Sequence, residues 1–120
     1  MREDKNIELF IINGQLIGCV LYIISLLISI LVIYDQKRKS LGEKRLFTDS
    51  EVQNLITFNR TFILVLIVFF LILNYLTKQL IVKNRGNTED INLIIIGSYL
   101  SIISACIALY TSLKNYSIDN

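Results

Sequence analysis

Charged and apolar residues are segregated along this chain. Three uncharged runs, at residues 9–34, 61–77 and 91–113, are separated by short charged segments. Runs of about 17–25 mostly apolar residues are typical of transmembrane helices, whereas helices of soluble proteins keep a polar stripe on one face. The pattern predicts an all-α fold, a three-span transmembrane helical bundle. A single integral membrane domain, 1–120, would contain spans at about 9–34, 59–82 and 91–113 and a loop at 35–47.

A helix start signal precedes the second span. Thr48 and Glu51 have the spacing of a capping box, in which the side chain of each residue accepts a hydrogen bond from the backbone N–H of the other. Neither Pro nor Gly interrupts residues 48–82. One continuous helix over that range would be about 52 Å long at 1.5 Å per residue, but the hydrocarbon core is only about 30 Å thick. We therefore predict a helical extension before the second span.

Small residues form a stripe on the first span and another on the third. At 100° per residue, five residues of the first span fall within about 80° of one another: Gly14, Gly18, Tyr22, Ser25 and Ser29. The third span has a comparable stripe: Gly97, Ser101, Ala105 and Ala108. Helices in lipid associate through close backbone approach and interhelical hydrogen bonds. We predict that the small residues of both stripes, together with the Asn74 carboxamide of the second span, are helix-packing residues.

The loop at 35–47 is the most basic part of the chain: Lys37, Arg38, Lys39, Lys44 and Arg45. Basic residues concentrate in cytoplasmic loops. Seven basic residues lie on the side of this loop and of the C-terminal segment, against five on the opposite side. The balance favours a multi-pass protein of the cell membrane, with the N-terminus outside and the C-terminus in the cytoplasm. The same loop is also open to a second interpretation, a docking patch for an acidic partner or lipid headgroup.

Composition narrows the possible chemistry. The formal net charge is only +2, which is too small to predict nucleic-acid binding. The sequence has no His, the commonest metal ligand and general base, and it has no glycine-rich phosphate loop. Cys19 and Cys106 lie within apolar runs, where we expect reduced thiols. We predict no catalytic, cofactor or metal site, and no enzyme activity; the Ile-, Asn- and Lys-rich composition suits an AT-rich bacterial genome.

Two function classes fit these features. The leading hypothesis is a small non-enzymatic membrane subunit that packs, within the lipid bilayer, against a second copy of itself or a larger membrane protein. The alternative is an oligomeric pore-forming or transport protein. In size, span number and orientation the chain is similar to three-span phage holins, although its weakly charged tail departs from their basic tail. No Asp, Glu, Lys, Arg or His lies within the uncharged runs, whereas pumps and ion carriers usually carry such a residue at mid-membrane.

Overall fold

The computed structural model describes the backbone of residues 2–119 and the side chains of residues 3–114. This part of the chain contains three α-helices and no strands: α1 (Arg2–Ser40), α2 (Asp49–Lys83) and α3 (Glu89–Asp119). Each of the three is long and apolar enough to cross a membrane. The predicted all-α fold with three transmembrane helices is confirmed.

The helix α2 begins at the predicted capping box. The Thr48 hydroxyl accepts a hydrogen bond from the Glu51 N–H at 3.2 Å, and the Glu51 carboxylate accepts one from the Thr48 N–H at 3.3 Å. These bonds satisfy two of the backbone donors that a helix start leaves free. The helix then continues without a break for 35 residues. It therefore includes the helical extension that the sequence predicts before the second span.

The helix α1 continues beyond the first apolar run. It is 39 residues long, so residues 35–40 of the predicted loop 35–47 are helical. The helix ends at Ser40, two residues before Gly42, whose φ is +72°. Only glycine adopts this left-handed conformation without a steric cost. The Glu43 N–H donates back to the Arg38 carbonyl at 2.9 Å, which turns the chain toward α2.

The helix α2 lies between the other two helices. The bundle is 61 Å long and 24 Å by 20 Å across. Both α1 and α3 pack against α2, but within residues 2–119 no Cα of α1 comes within 8 Å of a Cα of α3. The bundle is therefore not closed, and a groove with α2 as its floor separates α1 from α3.

Each outer helix meets α2 along one narrow seam. On α1 the buried and half-buried seam positions recur in alternating steps of three and four residues: Asp4, Ile7, Ile11, Gly14, Gly18, Leu21, Ser25, Ile28, Val32 and Asp35. The seam of α3 has the same repeat: Ile91, Ile95, Ser98, Ile102, Ala105, Leu109 and Ser112. A mean step of 3.5 residues is typical of helix pairs that supercoil with a crossing angle of about 20°. Most other apolar residues of α1 and α3 are exposed, as lipid-facing side chains are.

Candidate functional site

A closed set of polar contacts joins the middle of α1 to α2. The Ser25 hydroxyl donates to Asn59 Oδ1 at 2.6 Å, and Asn59 Nδ2 donates to the Ser29 hydroxyl at 2.9 Å. The Ser29 hydroxyl donates in turn to the Ser25 carbonyl at 3.2 Å. Ser25 and Asn59 are both buried. Because hydrocarbon offers no water as an alternative partner, these bonds fix the rotation and register of α1 against α2.

Gly14 and Gly18 are positions on α1 where side chains of α2 occupy the space beside the α1 backbone. A Cβ at Gly14 would lie 3.1 Å from Leu73 Cδ1 and 3.3 Å from the Phe69 ring. A Cβ at Gly18 would overlap the ring of Phe70. The two glycines thus leave room on α1 for the side chains of Leu73, Phe69 and Phe70.

The helices α2 and α3 share polar contacts near one end of their interface. Asn74 Nδ2 donates to the Ser98 hydroxyl at 3.1 Å. The hydroxyls of Tyr75 and Tyr99 lie 2.6 Å apart, and their rings meet edge to face. Asn74, a predicted packing residue, therefore lies in the α2–α3 interface and not in the α1–α2 interface.

A second group of polar contacts joins the opposite ends of α2 and α3. Ser112 is buried, and its hydroxyl lies 2.7 Å from the Thr57 hydroxyl. Gln53 Nε2 donates to the Ser112 carbonyl at 2.7 Å. One turn further along, Arg60 Nη1 donates to the Ala108 carbonyl at 2.8 Å. Side chains of α2 thus supply hydrogen bonds to α3 in two groups, one toward each end of the interface.

The stripe of small residues on α3 is divided between two environments. Gly97 has no atom within 4 Å of its Cβ position, and Ser101 is exposed. Ala105 and Ala108 are half-buried at the edge of the contact with α2. The α1 stripe faces α2, so the structure does not bring the two stripes together within residues 2–119.

The buried Asp35 carboxylate, near the end of α1, holds the first loop in place. It is 0% exposed and accepts two hydrogen bonds from Arg45, at 2.7 Å from Nη2 and 3.1 Å from Nε. It accepts two more from the backbone N–H groups of Leu46 and Phe47, at 2.7 and 3.1 Å. A buried carboxylate is costly unless it is paired and hydrogen-bonded. The four bonds satisfy it by folding the loop back against α1.

Arg45 also forms an ion pair with Asp49, in the first turn of α2. Hydrogen bonds to Asp49 and then to Asp35 raise the pKa of the Arg45 guanidinium above its ordinary value, against a smaller opposing effect of burial. Asp49 accepts a second contact, from Lys39 Nζ at 3.2 Å. The predicted basic loop therefore has internal charge partners that join the end of α1 to the start of α2.

The remaining basic residues of the loop differ in how they are held. The Arg38 guanidinium donates to the Lys44 carbonyl and lies 5.7 Å from the centre of the Tyr34 ring. Within residues 3–114, the ammonium groups of Lys37 and Lys44 form no ion pair. Lys37, Arg38 and Lys44 are thus the basic residues of the predicted loop that have no carboxylate partner in this range.

The opposite end of the α1–α2 pair has an ion pair of its own. Lys83 Nζ lies 2.6 Å from Asp4 Oδ1. Asp4 and Asp35 are the first and last positions of the α1 seam, and each is paired with a basic residue of the neighbouring segment. The seam is therefore held by charges at its ends and by the Asn59 cluster near its middle.

Sequence reasoning missed three residues that organise these contacts: Asp35, Asn59 and Arg60. Each has a signal in the sequence: Asp35 and Arg60 are charged residues directly beside an uncharged run, and Asn59 is a polar residue one position further out. Side chains at span boundaries are usually exposed to headgroups. Their partners lie on other helices or in the folded loop, at distances along the chain that local patterns do not specify.

The polar contacts among residues 3–114 are hydrogen bonds and ion pairs. Between residues 3 and 114, no group of three or more His, Cys, Asp or Glu side chains is placed to hold a metal ion. Cys19 and Cys106 are free and exposed. Comparison with protein-family models, with curated proteins and with solved structures found no match for this chain.

Proposed function

We propose that this multi-pass protein is a small non-enzymatic membrane subunit that acts through helix–helix packing. Its partner is a second copy of the chain or a larger membrane protein. The observation that carries this proposal is the open side of α3, where nothing lies within 4 Å of the Gly97 Cβ position. Small residues on an open helix face let a partner backbone approach closely. The exposed Ser101, one turn further on, extends the surface.

The Gly97→Leu variant tests this proposal. Because no atom of the chain lies near the Gly97 Cβ position, we expect the variant to keep the helicity and thermal stability of the wild type. A leucine there blocks the approach of a partner helix. We expect the variant to lose the larger species that the wild type forms in mild detergent, measured by size-exclusion chromatography with light scattering.

Cys106→Leu is the matched control. Cys106 is exposed and lies about 180° from Gly97 around α3 at 100° per residue, so the variant places the same leucine side chain on the other flank. It should assemble as the wild type does. The packing role fails if Gly97→Leu also assembles normally, or if the wild type is monomeric both in detergent and when crosslinked in native membranes.

An oligomeric pore is the second candidate, and a specific observation favours it. Ser101 and Ser104 are exposed on α3. Polar groups that face away from their own bundle in a membrane often line a water-filled cavity. A pore should release a small fluorescent dye from liposomes, and the Ser101→Leu/Ser104→Leu double variant should release less. Dye retention by wild-type liposomes, with assembly intact, would favour packing without conduction.

A further inference from the structure

The Arg60 side chain lines a cavity between α1 and α2. The cavity has a volume of about 230 Å³. Its polar lining comes from both sides of the α1–α2 contact: Ser29, Gln36, Asn59 and Arg60. Ile33, which is exposed on α1, contributes to the apolar lining. The cavity thus combines the charged Arg60 guanidinium with the apolar side chain of Ile33.

Most of the hydrogen-bonding capacity of Arg60 is unused. A guanidinium has five N–H donors, and within residues 3–114 that of Arg60 makes a single bond, from Nη1 to the Ala108 carbonyl. No buried side-chain nitrogen in this range lacks a partner, so Nε and Nη2, which make no hydrogen bond there, are accessible at the surface of a residue that lines the cavity. No described carboxylate lies within 4 Å of the group. Arg60 is therefore a positive charge without a negative partner among these residues.

The depth of Arg60 indicates what kind of anion would reach it. Arg60 directly precedes the uncharged run 61–77 of α2, and its acceptor Ala108 lies inside the run 91–113 of α3. The guanidinium is thus held at the boundary of the hydrocarbon, where an unpaired charge is costly. Lipid phosphate groups lie at this boundary, and arginine matches phosphate oxygens with two parallel hydrogen bonds. Basic pockets between transmembrane helices bind anionic headgroups.

The surroundings of the cavity favour an anionic lipid over a zwitterionic one. Lys37, which directly follows the cavity residue Gln36, is exposed near the same end of the bundle. Gln36 lines the cavity and is exposed. Its side-chain amide offers further hydrogen-bond donors to a headgroup. Beside it, the apolar surface at Ile33 suits the first carbons of an acyl chain.

We propose that the Arg60 cavity binds the phosphate group of an anionic phospholipid. The Arg60 guanidinium holds the phosphate oxygens, the Gln36 amide faces the headgroup, and an acyl chain lies along α1 past Ile33. Lipid binding at this cavity does not depend on whether the open side of α3 joins a larger assembly.

Lipid titration of the purified full-length chain tests the proposal. The chain in detergent is titrated with phosphatidylglycerol or phosphatidylcholine, and bound lipid is counted by native mass spectrometry. We expect the wild type to prefer phosphatidylglycerol, and Arg60→Gln to bind it about tenfold more weakly or worse, because charge-assisted hydrogen bonds are lost. Arg60→Lys keeps the charge but not the paired donors. Its affinity for phosphatidylglycerol should therefore lie between those of the wild type and Arg60→Gln.

Two further variants separate the cavity from general charge attraction. Lys114→Gln removes an exposed charge that does not line the cavity, and should bind phosphatidylglycerol as the wild type does. Ile33→Trp fills the cavity but leaves Arg60 in place, and should lose the preference for phosphatidylglycerol. This second variant keeps the test valid if Arg60→Gln does not fold.

Three results would overturn the lipid site. Equal phosphatidylglycerol binding by the wild type, Arg60→Gln and Ile33→Trp would indicate only diffuse attraction to the basic end of the bundle. Competition by millimolar inorganic phosphate would indicate a site for free anions. Loss of a co-purifying protein from Arg60→Gln, with phosphatidylglycerol binding unchanged, would indicate that the cavity accepts an acidic helix of a protein partner.

Discussion

Asp35 accepts hydrogen bonds from the Arg45 side chain and from the backbone N–H groups of Leu46 and Phe47. One carboxylate on α1 thereby fixes the backbone just before α2 begins. The sequence shows Asp35 directly after an apolar run, where a charged residue usually marks the membrane boundary. Its burial depends on the loop turning back at Gly42, and that long-range contact is not visible in local sequence patterns.

Replacing Asp35 by alanine should release the loop while leaving the helices intact. The amides of Leu46 and Phe47 lose their acceptor, so we expect their hydrogen exchange to become faster. Trypsin should also cleave more rapidly after Lys44 and Arg45. Hydrogen-exchange mass spectrometry and limited proteolysis in detergent measure both effects.

The control for this change is Glu43→Ala. Glu43 is an exposed carboxylate of the same loop, and its side chain forms no ion pair within residues 3–114. Exchange at Leu46 and Phe47 should stay slow in this variant. If Asp35→Ala leaves their exchange unchanged as well, then Asp35 does not hold the loop.

At the scale of helices, the contact seams differ from the predicted stripes. A step of 100° per residue places Tyr22 beside Gly18 and Ser25, but Tyr22 is 46% exposed. The observed seam uses Leu21 and Ile28 instead. The rotation of α1 about its own axis relative to α2, and not the helical repeat alone, decides which side chains face the partner.

Side-chain size explains why the two stripes have different environments. The face of α2 that meets α1 carries Phe69 and Phe70, which fit only against small residues such as Gly14 and Gly18. The seam of α3 is lined largely by isoleucine and leucine, so Gly97 lies outside it. The sequence of one helix shows where its small residues lie. Whether another helix packs against them depends on the side chains of that other helix.

Gly18→Leu should destabilise the α1–α2 pair within a single chain. A side chain at this position overlaps the Phe70 ring, and overpacking of a contact costs about 1–3 kcal/mol. We expect a lower midpoint of thermal unfolding, followed by circular dichroism in one detergent. Gly97→Leu is the comparison, since it adds the same side chain without an intrachain clash. Equal midpoints for the two variants would show that Gly18 is not at a tight contact.

For the whole molecule, the three apolar helices and the extension of α2 follow from local signals: long uncharged runs, a capping box and a glycine turn. The arrangement of the helices does not. Lipid tails are as apolar as the helix surfaces, so hydrophobicity gives no preference for one helix pair over another. The placement of α1 and α3 against α2, and not against each other, depends on individual hydrogen bonds such as those of Asn59 and Asn74.

The orientation proposed from the basic loop can be tested by cysteine labelling. In a background lacking Cys19 and Cys106, single cysteines replace Ser40, at the end of α1, or Asn87, between α2 and α3. Positive charge concentrates on the cytoplasmic side, so an impermeant maleimide should label Asn87→Cys in intact cells and leave Ser40→Cys unlabelled. Permeabilised cells should label both variants. The opposite pattern would reverse the proposed orientation.

The placement of α2 between helices that do not touch has a consequence for biosynthesis. Within residues 2–119, α1 packs only on α2, so every contact of the α1–α2 hairpin is available before α3 has been translated. At about 5–20 residues per second, the ribosome needs a few seconds more to complete the 31 residues of α3. The nascent hairpin can reach its final register during that interval, and α3 then docks onto a surface that is already formed.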